Sequence, residues 1–332
     1  MKNILGFILG AIISLILVEA YVSNSYVMDR YINDYDPEVG RIRKANTDYV
    51  KFNEGFGIGK VNNLNYLNKE YPIEKPKNTI RIALMGDSFV ESFQVFDRNY
   101  FGRIMENLLT KKLNQPVEVL NFGRSGFDLG DCYVYYSTFV KKYNPDYVLY
   151  ILGADDFKIR SSEPLLPVLK VTENKLEIER PYINSNYLKK ILIMKPFLEY
   201  SVLINNLNKS RKLLTKDYIL HQIFDKLYIK TEVVINTEKS VIPVLELTNT
   251  TEMILDSLEE NSGYFFLRSN IVIDNNNYVF HNITKVFKKN IYNPNHWDIT
   301  NTSGHWNNRA HKDVGQYLAQ EMEKIIINEL NK

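Results

Sequence analysis

Ile80-Arg81-Ile82-Ala83-Leu84-Met85 is a short, mostly apolar run, and Gly86-Asp87-Ser88 follows it directly. Runs of this length and composition, bounded by turn residues, are typical of a buried β-strand. Ser88 is then predicted to lie at the carboxyl end of the strand, where open α/β sheets present their ligands. Because Gly, Asp and Ser are also common turn residues, the tripeptide by itself is typical of an ordinary turn.

The same pattern of strand and polar loop recurs twice further along the chain. A strand predicted at 117–120 runs into Asn121-Phe122-Gly123-Arg124-Ser125-Gly126, and a strand predicted at 147–152 runs into Gly153-Ala154-Asp155-Asp156. The residues between the strands have helical spacing, which predicts a β-α-β-α-β order. Crossovers of this kind are right-handed and give parallel strands, so the three loops are predicted to meet at one edge of one sheet.

A histidine near the carboxyl terminus is the candidate base for Ser88. Gly304-His305-Trp306-Asn307 stands directly before a long helical pattern that ends the chain. A neutral imidazole can remove the proton of a serine hydroxyl and so activate it as a nucleophile. His311, at the start of the predicted terminal helix, is the fallback base.

These ordered blocks resemble the SGNH, or GDSL-type, serine hydrolases. The matching motifs are GDS at 86–88, N-x-G-x-x-G at 121–126, G-x-D-D at 153–156, where the family has G-x-N-D, and H-W-N at 305–307. The resemblance covers roughly Thr79 to Phe157 and again Ser303 to the carboxyl terminus. It implies an α/β fold in three layers, α/β/α, with a mostly parallel, flavodoxin-like sheet.

The resemblance also implies the roles of several residues. Ser88 would be the nucleophile and His305 the general base. The backbone N–H groups of Ser88 and Gly126 would hold the oxyanion, and a third donor is expected at position 155. Such donors stabilise the negative oxygen that develops when an ester is attacked.

Two positions depart from the family pattern. Asp155 stands where the family has an asparagine amide, and an ionised carboxylate accepts hydrogen bonds and repels a developing oxyanion. We expect burial and the neighbouring Asp156 to raise the pKa of Asp155 towards a protonated form that could donate. Thr302 stands where the family has the aspartate that orients the histidine. Asp298, the Thr302 hydroxyl or a backbone carbonyl are the candidate replacements.

The composition is that of an ordinary globular protein with one large core or two smaller ones. The chain has 332 residues, of which 45% are hydrophobic and 24% charged. The formal net charge of +2 and the lack of a basic stripe argue against a nucleic-acid partner. Cys132 is the only cysteine, which excludes an intrachain disulfide and a CxxC metal site, and no cofactor or metal is expected.

The amino terminus carries an apolar segment that is predicted to meet a membrane. Ile4 to Val18 contains no charged residue, and apolar residues continue beyond Glu19. This length suits a marginal bilayer crossing. A retained anchor is favoured over a cleaved signal peptide, because the run exceeds a typical signal core and lacks an A-x-A ending. Lys2 favours a cytoplasmic amino terminus, so the rest of the chain is expected outside the cytoplasm.

We therefore expect three parts: a membrane anchor or signal segment at 1–23, a stalk or capping segment at 24–78, and an SGNH-like hydrolase domain at 79–332. An insertion at about 160–240 is predicted to shape the substrate side of the cleft. The other predicted elements are helices over 100–113 and 129–143, a hairpin over 167–179, a largely helical stretch over 188–228, a strand over 241–247, a helix over 251–260 and a strand over 264–267.

The predicted function is that of an exported, membrane-anchored serine esterase acting through a Ser-His acyl-enzyme mechanism. Its substrate would be an acylated small molecule, envelope glycan or lipid, and hydrolysis and acyl transfer both remain open. The alternative is an envelope protein that keeps the fold and uses the cleft to bind an acylated or glycan ligand. The residues at positions 155 and 302 are the reason for keeping this alternative.

Overall fold

The computed structural model describes residues 2–25, 28–52, 54–67, 69–161, 164–173, 175–214, 243–287, 292–298 and 302–331. The chain divides into two compact units. The larger unit comprises residues 33–188 and 242–332, and the smaller comprises residues 1–32 and 189–241. Residues 33–78 therefore belong to the same unit as the sheet, and the predicted insertion is divided between the two units.

The regular elements follow each other along the chain. The strands are β1 (Asn33–Asp36), β2 (Gly40–Arg43), β3 (Thr47–Lys51), β4 (Gly57–Val61), β5 (Ile80–Gly86), β6 (Val117–Asn121), β7 (Tyr147–Leu152), β8 (Val168–Thr172), β9 (Lys175–Glu179), β10 (Val244–Leu245), β11 (Gly263–Leu267), β12 (Val272–Ile273), β13 (Phe280–Asn282), β14 (His296–Trp297) and β15 (Thr302–Ser303). The helices are α1 (Lys2–Ser25), α2 (Ser88–Glu91), α3 (Phe101–Leu113), α4 (Leu129–Thr138), α5 (Asn186–Tyr200), α6 (Val202–Leu214), α7 (Asn249–Glu259) and α8 (Asn308–Leu330). Short 3-10 turns lie at Asp97–Asn99, Val140–Tyr143, Ala154–Phe157, Pro181–Asn184 and Ile283–Val286.

The centre of the larger unit is a five-stranded sheet in the order β13-β11-β7-β5-β6. All its neighbouring strands are parallel. Taken along the chain, the strands have the order 2-1-3-4-5, which reverses direction beside β5. In such sheets ligands bind beyond the carboxyl ends of the strands at this reversal. Ser88 comes directly after β5, and the predicted α/β fold is confirmed.

Helices cover both faces of the sheet, which makes three layers. Ile82 and Leu84 of β5 pack in the hydrophobic core that contains α3 and α8. Ala83 and Met85, which point to the other face, pack in the core that contains α4 and α7. Because β5 is buried on both faces, its sequence is nearly continuously apolar.

One predicted strand differs from the structure. Within the described part of the strand predicted over 241–247, only Val244–Leu245 is extended, as β10, and it pairs with β12 outside the central sheet. Pro243 has no N–H to donate to a strand ladder, and residues 241–242 lie outside the described residues. The fifth strand of the sheet is instead β13, whose three residues are too few to show the alternation of apolar and polar residues that marks a strand in a sequence. Of the helical stretch predicted over 188–228, the described part is helical as far as Leu214, and residues 215–228 lie outside the described residues.

The predicted capping segment contains two antiparallel hairpins, β1–β2 and β3–β4. The ring of Tyr49 in β3 packs edge to face on Phe93, with 4.7 Å between the ring centroids. At Gly57, any Cβ atom would collide with the backbone oxygen of Phe93, so glycine allows the hairpin to approach closely. The β3–β4 hairpin is thereby held against the segment that follows α2.

The smaller unit contains α1, most of α5, and α6. Residues Asn3–Ser25 of α1 form a helix long and apolar enough to cross a membrane, and its most apolar stretch is not buried within the protein. A signal sequence near the amino terminus has the same character.

Candidate active site

Ser88 lies on a sharp turn between β5 and α2. Gly86 has a φ of +151°, and a Cβ atom there would lie 2.6 Å from the backbone oxygen of Ile151. Only glycine fits this conformation and this space. Asp87 caps α2, because its Oδ1 accepts a hydrogen bond of 2.9 Å from the N–H of Phe89. The turn therefore fixes the backbone on both sides of the serine.

His305 lies beside Ser88. The distance from its Nε2 to the Ser88 Oγ is 2.6 Å. The backbone at His305 is held by Trp297, whose Nε1 donates to its carbonyl oxygen at 3.0 Å. Asn307 then caps α8 through a 2.9 Å bond from the N–H of Ala310. The structure thus brings together the two residues predicted as nucleophile and base.

Glu54 is the partner of the other ring nitrogen of His305. It lies in the loop between β3 and β4, and its Oε2 is 2.7 Å from the ring Nδ1 and 2.8 Å from the backbone nitrogen of His305. A Cβ atom at Gly304 would lie 2.5 Å from this carboxyl group, so the absence of a side chain there admits it. Although partial burial acts in the opposite direction, hydrogen bonds from His305 lower the pKa of Glu54.

A carboxylate bonded to Nδ1 fixes the ring's tautomer. With the Nδ1 proton donated to Glu54, the neutral His305 ring presents the Nε2 lone pair to the Ser88 hydroxyl. The ionised Glu54 also stabilises the imidazolium that forms when Nε2 takes a proton. The three side chains therefore form the hydrogen-bonded chain that serine nucleophiles require.

The candidate orienting residues from the sequence lie differently. The Asp298 side chain is 98% exposed, and its Oδ1 is 3.5 Å from Nε2 of His296. The prediction that Asp298 orients His305 is therefore wrong, because Asp298 lies on the surface beside a different histidine. Glu54 is the carboxylate that contacts His305. The backbone of Thr302 pairs with Trp297 in the β14–β15 hairpin, and its side chain is outside the described part of the structure.

Asp155 also differs from the expectation. Its side chain is 86% exposed, and its Oδ1 is 2.8 Å from Nζ of Lys158. This hydrogen bond and the lysine's positive charge lower the pKa of Asp155. The expected protonated form is wrong, because the side chain is neither buried nor directed at another carboxyl group. An ionised, solvated Asp155 cannot donate to an oxyanion.

We expect Asp155→Asn to change ester turnover by less than about threefold, because surface substitutions away from a site have small effects. Steady-state hydrolysis of an aryl ester by the full-length chain measures this, with Asp155→Ala as the matched control. A gain of about tenfold or more in Asp155→Asn alone would contradict the expectation. Such a gain is what a new oxyanion donor supplies, and it would show that position 155 reaches the oxyanion.

Asp156, the residue after Asp155, lies close to Arg268 and to Asp87, which precedes Ser88 in the chain. Nη2 of Arg268 is 2.7 Å from Oδ2 of Asp87 and 3.4 Å from Oδ2 of Asp156. Burial and the charge of Asp87 raise the pKa of Asp156 to about 7, against the opposing effect of Arg268. Burial likewise raises the pKa of Asp87. The Asp87 cap that precedes Ser88 is thus part of a buried group of two carboxyls and one guanidinium.

A second buried ion pair joins α2 to β2, and its carboxylate also binds the loop that carries Gly126. Glu91 is fully buried, and Nε and Nη2 of Arg43 bind its carboxylate at 2.6 and 2.7 Å. The N–H of Ser125 also donates to Glu91 at 2.8 Å, and its hydroxyl donates to the same oxygen. Despite burial, Arg43 lowers the pKa of Glu91. Gly126 follows with a φ of +81°, a conformation that favours glycine.

A cavity of about 180 Å³ opens at Ser88. Its lining residues are Lys51, Glu54, Ser88, Phe93, Gln94, Ser125 and His305. The β3–β4 hairpin thus forms one wall, and the lining includes no residue from the described part of the predicted insertion. This wall, and Glu54 with it, was not predicted from the sequence, where the glycine-rich turn Gly55-Phe56-Gly57 beside Glu54 is the feature that could have indicated it.

The fallback base, His311, is a core residue. It is fully buried and stacks on Phe101, with 5.6 Å between the ring centroids. The N–H of Phe101 donates to its Nδ1 at 3.3 Å. Burial and the nearby His305 lower the pKa of His311 to about 3, so the ring stays neutral. Among the described residues, no group of three His, Cys, Asp or Glu side chains is placed to hold a metal ion.

Comparison with known proteins finds similar solved structures at low identity. The sequence matches no family model and no curated protein. A protein from Desulfitobacterium hafniense named as lipolytic and of the G-D-S-L family is 14% identical, with 72% of this chain and 98% of that chain covered and a TM-score of 0.29. An acetyl xylan esterase variant from Geobacillus stearothermophilus is 13% identical, with 73% and 94% covered and a TM-score of 0.31. A family 3 carbohydrate esterase from Clostridium thermocellum is 10% identical, with 73% and 94% covered and a TM-score of 0.29.

Proposed function

We propose that this protein is a serine esterase that works through an acyl-enzyme intermediate. The observation that carries the proposal is the hydrogen-bonded chain from Ser88 through His305 to Glu54, with distances of 2.6 and 2.7 Å. A serine hydroxyl is a weak nucleophile until a neighbouring base removes its proton. The arrangement of these three side chains provides the base and the group that orients it.

The reaction follows from this geometry in two steps. His305 Nε2 takes the Ser88 proton as Oγ bonds to the acyl carbon, and the imidazolium then returns that proton to the departing alcohol. In the second step His305 removes a proton from water, whose oxygen attacks the acyl carbon, and Ser88 leaves with the proton returned. The backbone N–H groups of Ser88 and Gly126 are the proposed donors to the negative oxygen in both steps.

The proposed substrate carries a small acyl ester on an envelope glycan or lipid. A cavity of about 180 Å³ is smaller than the 300–1,000 Å³ typical of drug-sized ligand pockets. It therefore suits a short acyl group, with the rest of the substrate outside. Lys51 and Gln94 give its wall polar groups that suit a hydroxylated or charged carrier.

The site is proposed to work outside the cytoplasm, with α1 as a membrane anchor. The apolar length of α1 and the charge at Lys2 support this orientation. The non-catalytic alternative loses the support that came from position 302, because Glu54 contacts His305 in place of the family's aspartate. The support that came from position 155 stays, since Asp155 is ionised and exposed.

Acyl-chain length tests the substrate proposal. For the full-length chain in detergent, we expect kcat/KM for para-nitrophenyl esters to fall by about tenfold or more from acetate to octanoate. A pocket that buried the longer chain would instead gain about 0.8 kcal/mol per CH₂. Ser88→Ala supplies the background rate. Activity that rises with chain length would contradict a small-acyl specificity, and equal rates for wild type and Ser88→Ala would contradict the esterase itself.

A further inference from the structure

Helix α6 begins at an acidic residue of α1. The Glu19 carboxylate accepts hydrogen bonds from the Ser201 hydroxyl at 2.7 Å and from the N–H groups of Val202 and Leu203 at 2.8 and 3.2 Å. The first N–H groups of a helix have no partner within the helix, and a carboxylate satisfies them well. The junction between α5 and α6 is therefore fastened to α1 at Glu19.

A second set of contacts holds the far part of α6 to the chain that follows α1. Nζ of Lys209 is 3.0 Å from Oδ2 of Asp29, and Nδ2 of Asn205 donates to the Asp29 carbonyl at 2.8 Å. Val22 and Val202 are both buried in this region. The position of α6 along α1 is thus fixed at two points, and with it the carboxyl end of α5.

Glu19 is the first charged residue after Lys2 on α1, and it lies near the end of the apolar part of this helix. The residues from Ile4 to Val18 would extend about 22 Å at 1.5 Å per residue. The hydrocarbon core of a bilayer is about 30 Å thick. If these residues cross most of that core, Glu19 and the attached end of α5 come to its boundary.

Helix α5 has an apolar face that the described residues leave exposed. Ile193, Phe197 and Tyr200 are 69%, 57% and 86% exposed. Their i, i+4, i+7 spacing places them on one face of the helix. Leu192 and Met194 are exposed beside them. Soluble surfaces rarely present a contiguous apolar patch of this kind without a partner.

We propose that α5 lies in the headgroup region of an anionic bilayer, with Ile193, Phe197 and Tyr200 directed into the acyl boundary. Lys189 and Lys190 are exposed at the start of the same helix. Lysines extend their charge to lipid phosphates while aromatic rings occupy the interface, which is the composition of interfacial helices. The link through Glu19 places this helix at the end of the anchor, which favours a lipid surface as its partner.

Depth-dependent quenching tests this proposal in the full-length chain. Single-cysteine variants Phe197→Cys, Leu9→Cys and Glu177→Cys are labelled with a fluorophore and reconstituted in vesicles of phosphatidylcholine with phosphatidylglycerol. Cys132 is buried and is not expected to react. We expect a lipid-borne quencher to reduce the Phe197→Cys signal roughly twofold or more relative to Glu177→Cys, an exposed position on β9.

The three labelled positions report on the location of α5 and on the insertion of α1 separately. Quenching at Phe197→Cys supports the location of α5 in the interface. Loss of this quenching in vesicles of phosphatidylcholine alone, or in the double variant Lys189→Gln with Lys190→Gln, supports binding of the lysines to anionic headgroups. A Phe197→Cys label that is quenched no more than Glu177→Cys overturns the proposal. Leu9→Cys then shows the state of the anchor independently, because it is quenched whenever α1 is inserted.

Discussion

Ser88→Ala and His305→Ala are each expected to lower kcat for ester hydrolysis by about 10⁴-fold or more, and to abolish labelling by a fluorophosphonate. Either change removes the nucleophile or the base that activates it. In such a unit, loss of one member lowers the rate about as much as loss of all of them. The 2.6 Å contact between Nε2 and Oγ is the observation behind this expectation. Labelling of the full-length chain over pH values from about 5 to 9 covers the range in which histidine titrates.

Ser125→Ala is the matched control, because Ser125 is the other serine that lines the cavity. Its hydroxyl donates to Glu91 and not to the histidine, so labelling should persist in this variant. Thermal unfolding must stay cooperative in all three variants. Labelling lost in Ser125→Ala and kept in Ser88→Ala would move the nucleophile to Ser125. A folded wild-type chain that is never labelled would favour a binding protein.

Glu54→Gln is expected to reduce kcat by roughly 10³- to 10⁴-fold with little change in KM. The amide can hold the ring in the wrong tautomer, and it cannot stabilise the imidazolium; the corresponding change in a serine protease triad has an effect of about this size. Because Glu54 acts through His305, the loss should fall on kcat. Steady-state kinetics on a short-chain aryl ester separate the two parameters.

Asp298→Asn provides the comparison that distinguishes the two carboxylates. Its side chain is exposed and lies beside His296, so turnover should stay within about threefold of wild type, as for other surface changes. Glu54→Asp should retain more activity than Glu54→Gln, since it keeps the charge on a shorter side chain. If Asp298→Asn were as damaging as Glu54→Gln, the loop that carries Asp298 would have to reach the ring during turnover.

The parts of the fold and site that the sequence predicted are those with local signals. The strands at Ile80–Gly86 and Tyr147–Leu152 are nearly continuous apolar runs, and their buried faces explain that composition. Ser88 and the loop at 121–126 follow from parallel topology, because the carboxyl ends of parallel strands share one edge. His305 was identified because a short motif stands directly before a strongly periodic helix.

The features that were missed depend on contacts that neither a sequence period nor a short motif shows. Glu54 and His305 are separated by 251 residues, and nothing periodic marks a single glutamate in a turn. The direction of the Asp155 side chain depends on Lys158 and a 3-10 turn, which a motif comparison does not describe. The strand Phe280–Asn282 forms because the edge of β11 is available to it, although three residues are too few for a pattern of their own.

The position of His305, 251 residues after Glu54, makes the proposed site a late product of synthesis. Its three groups come from residues 54, 88 and 305, so a chain still emerging from the ribosome has its acid and its nucleophile long before its base. Bringing residues this far apart in the chain together has an entropic cost, which the packed sheet and the terminal helix help to offset. A nascent or misfolded chain would therefore hold an unactivated serine, and the proposed esterase activity would report that the Glu54 hairpin and the segment that carries His305 have reached their native positions.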